Sequence, residues 1–288
     1  MDIGRAEKMK GELVDSGKIR SAYVFSVLII ILAILASAGG LLMDNLYRDN
    51  PFVTLAWQNT DLVTLVVAVP IFTIALILSW RGSQRAHLIW LAMVDYTLYN
   101  YAYYLFAAAF NWFFLVYVAL FVLSIAVLIL GLLDLDVNGI SQKFRDSTPV
   151  KWISGYMLFV ATSLTSIYLA MTVGFIVTGQ LPAIVEKSGH PTNVVFALDL
   201  SLVVPVFVFA AILLWKRQPW GYVLAAISIV KGTIYNLALT MVTIAAARAG
   251  YPDSAGEIPL WIGLFAGSLI ASLFLLGHIK KGKGVSHG

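Results

Sequence analysis

Asp95 and Lys231 stand where an apolar chain tolerates charge least, each deep within a long hydrophobic stretch. By helix rise each lies roughly 14–16 Å from the nearer end of its stretch, close to the middle of a bilayer. A lone charge at that depth costs at least a few kcal/mol, so each needs a counter-charge, water or a functional reason to be there. Polar side chains follow both at helical spacing. Asp95, Tyr99 and Tyr103 share one helix face, and Ser228, Lys231 and Tyr235 share another. A neighbouring stripe carries Gly232, Asn236, Thr240 and Thr243, matched in part by Asn100 and Tyr104, and Thr162, Ser163, Thr165 and Ser166 add hydroxyls from a further stretch. Such groups hydrogen-bond between membrane helices, or coordinate a small polar solute or a desolvated cation. Asp199 is the third acid inside a stretch, about 9 Å from its end. The expected binding set is Asp95, Tyr99, Asn100, Tyr103, Asp199, Lys231, Tyr235 and Asn236, with Asp61 and His190 as candidates on the outer face.

Other chemistries find little support. The chain has no cysteine, which removes disulfides, thiolate metal sites and thiol redox chemistry. His190 with Asp199 would make an acid–base or metal site, but one histidine among scattered acids is thin grounds, and no metal or cofactor is expected. Only His87 and His278 approach a common depth for a bis-histidine haem. Phosphate-binding glycine loops and serine-nucleophile elbows are missing, and Gly282-Lys283-Gly284 is a tail. Catalytic residues are therefore unassigned. Lys231 opposite Asp95 is superficially similar to the retinal lysine and counter-ion of microbial rhodopsins. Ile227 stands where that family places an acid four residues before the lysine, and the number of spans differs.

These residues need helices to position them. The chain has 288 residues, 60% hydrophobic and 12% charged, with a mean hydropathy of +0.88, which is the composition of a membrane protein. Eight stretches are long enough to span as helices: about 21–43, 61–80, 86–108, 112–133, 152–178, 193–215, 220–247 and 258–277. The first resembles a secretory signal ending at Ala36-Ser37-Ala38, but its apolar run continues to Met43, so it is read as a helix. Of the 19 lysines and arginines, Arg48, Lys187 and Arg248 alone fall on one side and Lys231 alone inside a span; the rest share the other side. That bias predicts a multi-pass protein of the inner (plasma) membrane with both termini cytoplasmic. The basic balance describes orientation in a lipid bilayer and gives no reason to expect a nucleic-acid partner. Trp57, Trp112, Trp152, Trp220 and Trp261 fall near span ends and are expected to anchor at the headgroups.

The chain also repeats itself. Thr97-Leu98-Tyr99-Asn100 returns as Thr233-Ile234-Tyr235-Asn236, Trp80-Arg81 as Trp215-Lys216, and Pro70 as Pro205. Lys18, Ser21 and Tyr23 match Lys151, Ser154 and Tyr156. Under this alignment Asp95 and Lys231 are equivalent positions. The expectation is an all-α polytopic protein of eight transmembrane helices in two tandem four-helix repeats, residues 1–140 and 152–288, joined by a linker at 141–151. An even number of spans per repeat gives a pseudo-two-fold axis along the membrane normal. The mid-span prolines are expected to kink their helices, and Asn138-Gly139 and Pro149 to break helix in the joint.

Residues 98–106 (LYNYAYYLF) and 189–205 (GHPTNVVFALDLSLVVP) resemble stretches of prokaryotic multi-pass membrane proteins to which no activity is attached. That resemblance implies a membrane fold and carries no function. From the residues themselves, the leading expectation is a transporter or permease-like protein with a polar, aromatic site between its halves for a small cation, amine or polar metabolite. The alternatives are an enzyme acting on a lipid or isoprenoid at the outer leaflet through His190, Asp199 and Asp61, and a non-catalytic sensor or assembly partner. Oligomeric state is not legible.

Overall fold

The structure, a computed structural model, describes residues 3–251 and 254–280, with side chains from residue 19 onward. Within that range the chain is helical and contains no strand. The long helices are α1 (Ile3–Leu42), α2 (Pro51–Trp80), α3 (Gln84–Ala107), α4 (Phe114–Leu133), α5 (Val150–Thr178), α6 (Val194–Trp215), α7 (Pro219–Arg248) and α8 (Ser254–Gly277). Short helices Val137–Gln142 and Ala183–Ser188 lie in the connections. Seven of the long helices are long and apolar enough to cross a membrane, α1 from Ile19 onward, and the protein is membrane-embedded. The helix outside that set is α3. It has the length, but Asp95, Asn100 and five tyrosines lower its hydropathy.

That polarity reflects position. Fourteen of the 24 residues of α3 are buried, and 67% of the most apolar window of α7 is buried against 17% of that of α5. A helix wrapped in protein need not present hydrocarbon to lipid. The two central helices pack on each other; α2 also packs on α7, and the first turns of α6 on α3. Within the first half, α1 to α4 close a ring of neighbours, and α5 to α8 do so within the second.

Several boundaries differ from the sequence expectation. The connection before α2 ends at Asn50, ten residues sooner than expected, because Asn50 caps the helix by accepting from Val53 N–H and Pro51 occupies its first turn. Asn138-Gly139 lies inside a short helix, where Asp136 Oδ1 accepts from Gly139 N–H at 2.9 Å. Trp57 is fully buried against Tyr103 and Tyr104 instead of anchoring at a headgroup, because this earlier start carries it into the bundle.

Around Pro70 and Pro205 the helices widen into π-turns, Thr64–Ala68 and Asp199–Val203. Val69 N–H bonds to Thr64 O and Val204 N–H to Asp199 O, five residues back in each case. The turns that follow also correspond. Gly82 and Arg217 both take positive φ, +85° and +54°. Ser83 N–H reaches Leu78 O at 3.0 Å, and Gln218 N–H reaches Leu213 O at 2.9 Å, a Schellman-type closure. Arg217 occupies a conformation that favours glycine, and its guanidinium is tied to Asp146 O at 3.0 Å and to Tyr222 OH at 3.3 Å.

The end of the bundle with these turns carries Arg81, Arg85, Lys143, Arg145, Lys216, Arg217 and Lys280 and is called the basic end below. There the 134–149 connection docks beside the end of α8 through Lys280 N–H to Lys143 O (2.8 Å) and Arg145 N–H to His278 O (3.0 Å). At the opposite, acidic end, Asn50 Nδ2 donates to Ser188 O at 2.8 Å and Lys187 Nζ sits 4.3 Å from the centre of the Phe52 ring.

Helix α7 enters against the end of α6 so closely that a Cβ on Gly221 would lie 2.2 Å from Leu214 N and 2.3 Å from Leu213 C. Backbone cannot step aside as a flexible side chain can. Gly221→Ala should therefore destabilise the purified protein by about 1–3 kcal/mol. Gly155→Ala, with nothing within 4 Å, should stabilise α5 by up to about 1 kcal/mol. Thermal unfolding in detergent measures both signs.

Candidate functional site

The expected acid and amine meet. Lys231 Nζ on α7 lies 3.7 Å from Asp95 Oδ2 on α3, with side chains 10% and 21% exposed. Lys231 Nζ also stands 4.3 Å from the centre of the Tyr99 ring, a cation–π contact one helical turn along α3 from Asp95. The Tyr99 hydroxyl donates to Asp199 Oδ1 at 2.6 Å, and Tyr168 on α5 donates to Asp199 Oδ2 at 2.7 Å. Tyr235 meets the Tyr99 ring edge-on at 4.8 Å. The contacts run as one line, Asp95 to Lys231 to Tyr99 to Asp199 to Tyr168, across the seam between the halves. Along it two carboxylates face one ammonium.

Four of the eight expected binding residues, Asp95, Tyr99, Asp199 and Lys231, belong to this line, and a fifth, Tyr235, packs against it at Tyr99. The other three are engaged differently. Tyr103 packs on Trp57 at 4.5 Å. Asn236 Nδ2 turns to α8, 3.4 Å from both Leu264 O and Ser268 Oγ. Asn100 is 1% exposed, and neither of its side-chain polar atoms has a hydrogen-bond partner. Tyr168 was missed from sequence. It falls on the face of α5 marked by Thr165 and Thr172, but nothing local shows that a carboxylate on α6 lies opposite.

Asp61 forms a second centre within the first half. It is 1% exposed and hydrogen-bonds Tyr47 through Oδ2. Tyr104 OH lies 3.0 Å from Asp61 Oδ1 and 3.1 Å from Trp57 O. Burial, then the charge of Asp61, raises the Tyr47 phenol well above its ordinary value, which keeps it a neutral donor. Gly40 of α1 admits this contact, because a Cβ there would lie 1.9 Å from Asp61 Oδ2. Both acids are thus held by a pair of tyrosines, and α3 supplies one member of each pair.

His190 joins neither acid. Its Nε2 is 3.5 Å from Asp49 Oδ1, and Asp49 also accepts from Trp57 Nε1 at 3.1 Å and from Ala109 N–H at 3.0 Å. His190, Asp49 and Ala109, with Asn50, Ala107, Ser188, Gly189 and Pro191, line a cleft of about 380 Å³ at the acidic end. His87 and His278 are separately engaged, with Ser79 Oγ at 3.1 Å and Phe274 O at 2.6 Å. Among the described residues no group of three or more histidines and acids gathers to hold a metal. No family model, curated protein or solved structure matches the chain.

The seam makes a coupled prediction. Asp95→Asn and Lys231→Met should each destabilise the protein, because each leaves its partner buried without a counter-charge. The double variant should recover part of the loss, with a coupling energy of about 1–3 kcal/mol. Additive effects in a double-mutant cycle would mean that the ion pair does not join the halves. Tyr99→Phe keeps the ring under Lys231 and removes the bond to Asp199, so it should cost less than Tyr99→Leu.

Proposed function

We propose that the protein is a permease-like membrane transporter with its site on the seam between the halves, for a small cation, amine or polar metabolite. The observation that carries this reading is the imbalance of two carboxylates to one ammonium along Asp95, Lys231 and Asp199. With both acids ionised, the leftover negative charge is costly in a low-dielectric interior, and one monovalent cation or protonated amine removes that cost. Asp199 is the binding acid, oriented by Tyr99 and Tyr168. Lys231 is the resident cation; it shares Tyr99 with Asp199, so cargo at Asp199 changes the field in which Lys231 sits. Movement of α7 against α3 would break both contacts together, which links occupancy to the relative position of the halves.

The architecture proposed with this function is eight spans, α3 being the eighth, in two tandem four-helix repeats about an axis along the membrane normal. Support comes from the two π-turns before Pro70 and Pro205, the matching turns at Gly82 and Arg217, and the meeting of Asp95 with its equivalent, Lys231. The basic end faces the cytoplasm of a plasma membrane, with both termini on that side, by the positive-inside rule.

A second reading, an enzyme at the acidic face, is favoured by the His190–Asp49 contact in an open cleft. The readings separate in proteoliposomes. Uptake of labelled monovalent cations and methylammonium should be saturable, and Asp199→Asn should lower it at least tenfold while leaving the unfolding temperature nearly unchanged. His190→Ala should leave uptake intact. Uptake equal to that of empty vesicles, or unaffected by Asp199→Asn, refutes the seam as a transport site for these solutes.

A further inference from the structure

The interior of the first four helices contains more hydrogen-bonding capacity than it uses. Ser37 Oγ on α1, both polar atoms of Asn100 and the Tyr101 hydroxyl on α3, and the Tyr117 hydroxyl and Ser124 Oγ on α4 are buried without a hydrogen-bond partner. Each residue is at most 2% exposed. Native interiors hold only a few such atoms per hundred residues, and a water or an ion is one partner that satisfies them. Here they crowd into one four-helix unit beside Asp61.

Their convergence follows from neighbouring contacts. Gly40 touches Asp61, and Ser37 lies one turn away on the same face of α1, near Asp61 and Tyr101. The Tyr117 ring stacks 6.0 Å from that of Tyr101 and lies 5.3 Å from that of Tyr104, which reaches Asp61. On α3, Tyr96 meets Thr64 at 2.8 Å and Tyr104 meets Asp61. Asn100, midway between them, is therefore level with the turn from Asp61 to Thr64. The second half offers a contrast, because Asn236, at the equivalent position, comes within 3.4 Å of Ser268 Oγ on α8. Asn100 and Ser124 remain unpaired.

We infer that this unit binds one desolvated monovalent cation of about sodium size on Asp61. The available donors are oxygens: the Asp61 carboxylate, the Ser37, Tyr101 and Tyr117 hydroxyls and Asn100 Oδ1, the ligand type a hard cation requires. In its ionised form Asp61 carries a single negative charge, and its polar neighbours Tyr47, Tyr104 and Ser37 are neutral. A monovalent ion therefore leaves the unit neutral, whereas a divalent one would strand a positive charge. The π-turn at Thr64–Ala68, with Pro70 unable to donate, also lies one turn from Asp61; interrupted backbone of this kind supplies carbonyl ligands to ions in membrane helices. The inference does not rest on the seam, because none of these ligands touches Asp199 or Lys231.

The test uses the full chain in detergent, with sodium, potassium and choline chlorides at equal ionic strength. Sodium should raise the unfolding temperature saturably above choline, with a smaller effect of potassium, and ²²Na⁺ should bind at one ion per chain. Asp61→Asn should abolish both signals. Ser37→Ala and Tyr117→Phe should lose little stability in choline, because no hydrogen bond of ordinary length holds either hydroxyl. In sodium they should bind about tenfold more weakly. Asp199→Asn should keep the full sodium response. Equal unfolding in sodium and choline, or a response that survives Asp61→Asn, overturns the inference. So does wild-type sodium affinity in Ser37→Ala and Tyr117→Phe, which decide the matter if Asp61→Asn does not fold. A response to pH alone assigns the unit to a proton and also overturns it.

Discussion

Carboxylates inside an apolar bundle must be satisfied from within the bundle, and in this protein α3 carries most of that duty. Asp95 and Tyr99 lie on one side of the helix and serve Lys231 and Asp199, while Tyr104 on the opposite side serves Asp61. A helix that meets acids on two sides cannot have a lipid-facing flank of ordinary width. Its low hydropathy and its burial are therefore two consequences of one placement. The same requirement accounts for the tyrosines. A phenol brings a donor to a carboxylate on a rigid, largely apolar body, so it contributes packing where a lysine would contribute a second charge.

The seam between the halves is held at three levels. At the acidic end Asn50 and Lys187 cross it, at mid-depth Asp95 and Lys231, and at the basic end the contacts of the 134–149 connection with the end of α8. The outer two levels depend on backbone carbonyls and ring faces. The middle one joins two opposite charges, so a bound ion can compete there with the protein's own contact. The two π-turns lie within this central region, and their wider helix leaves carbonyls with weaker claims on N–H donors.

Much of this was legible in the sequence, for identifiable reasons. Helices followed from the length of apolar runs, and the meeting of Asp95 with Lys231 followed from the cost of either charge alone together with the like segments, Thr97–Asn100 and Thr233–Asn236, that follow them. The tyrosine clamps were not legible. Tyr47 and Tyr168 reach their acids from a loop and from another helix, and periodicity reports only neighbours on the same helix. Asn50-Pro51, a pair that marks a helix start as readily as a break, opens α2 ten residues before the expected span and so carries Trp57 into the bundle. His190, a candidate on the outer face, is brought by its loop to Asp49, whose other partners, Trp57 and Ala109, hold the carboxylate at the acidic end.

The two acid centres differ in one respect that orders their roles. Asp199 shares its surroundings with Lys231, so an internal cation is already at hand and any bound cation must coexist with it. Asp61 has neutral neighbours and is walled by Gly40 and by rings. A charge at Asp199 can be redistributed by a small shift of α7, whereas a charge at Asp61 changes only if an ion or proton enters or leaves. Tyr99 and Tyr104 sit on one rigid helix five residues apart. A rotation of α3 that strained the bond of Tyr99 to Asp199 would also strain that of Tyr104 to Asp61. With cations bound as proposed at both centres, that mechanical link would be a physical means for each to sense the other's occupancy.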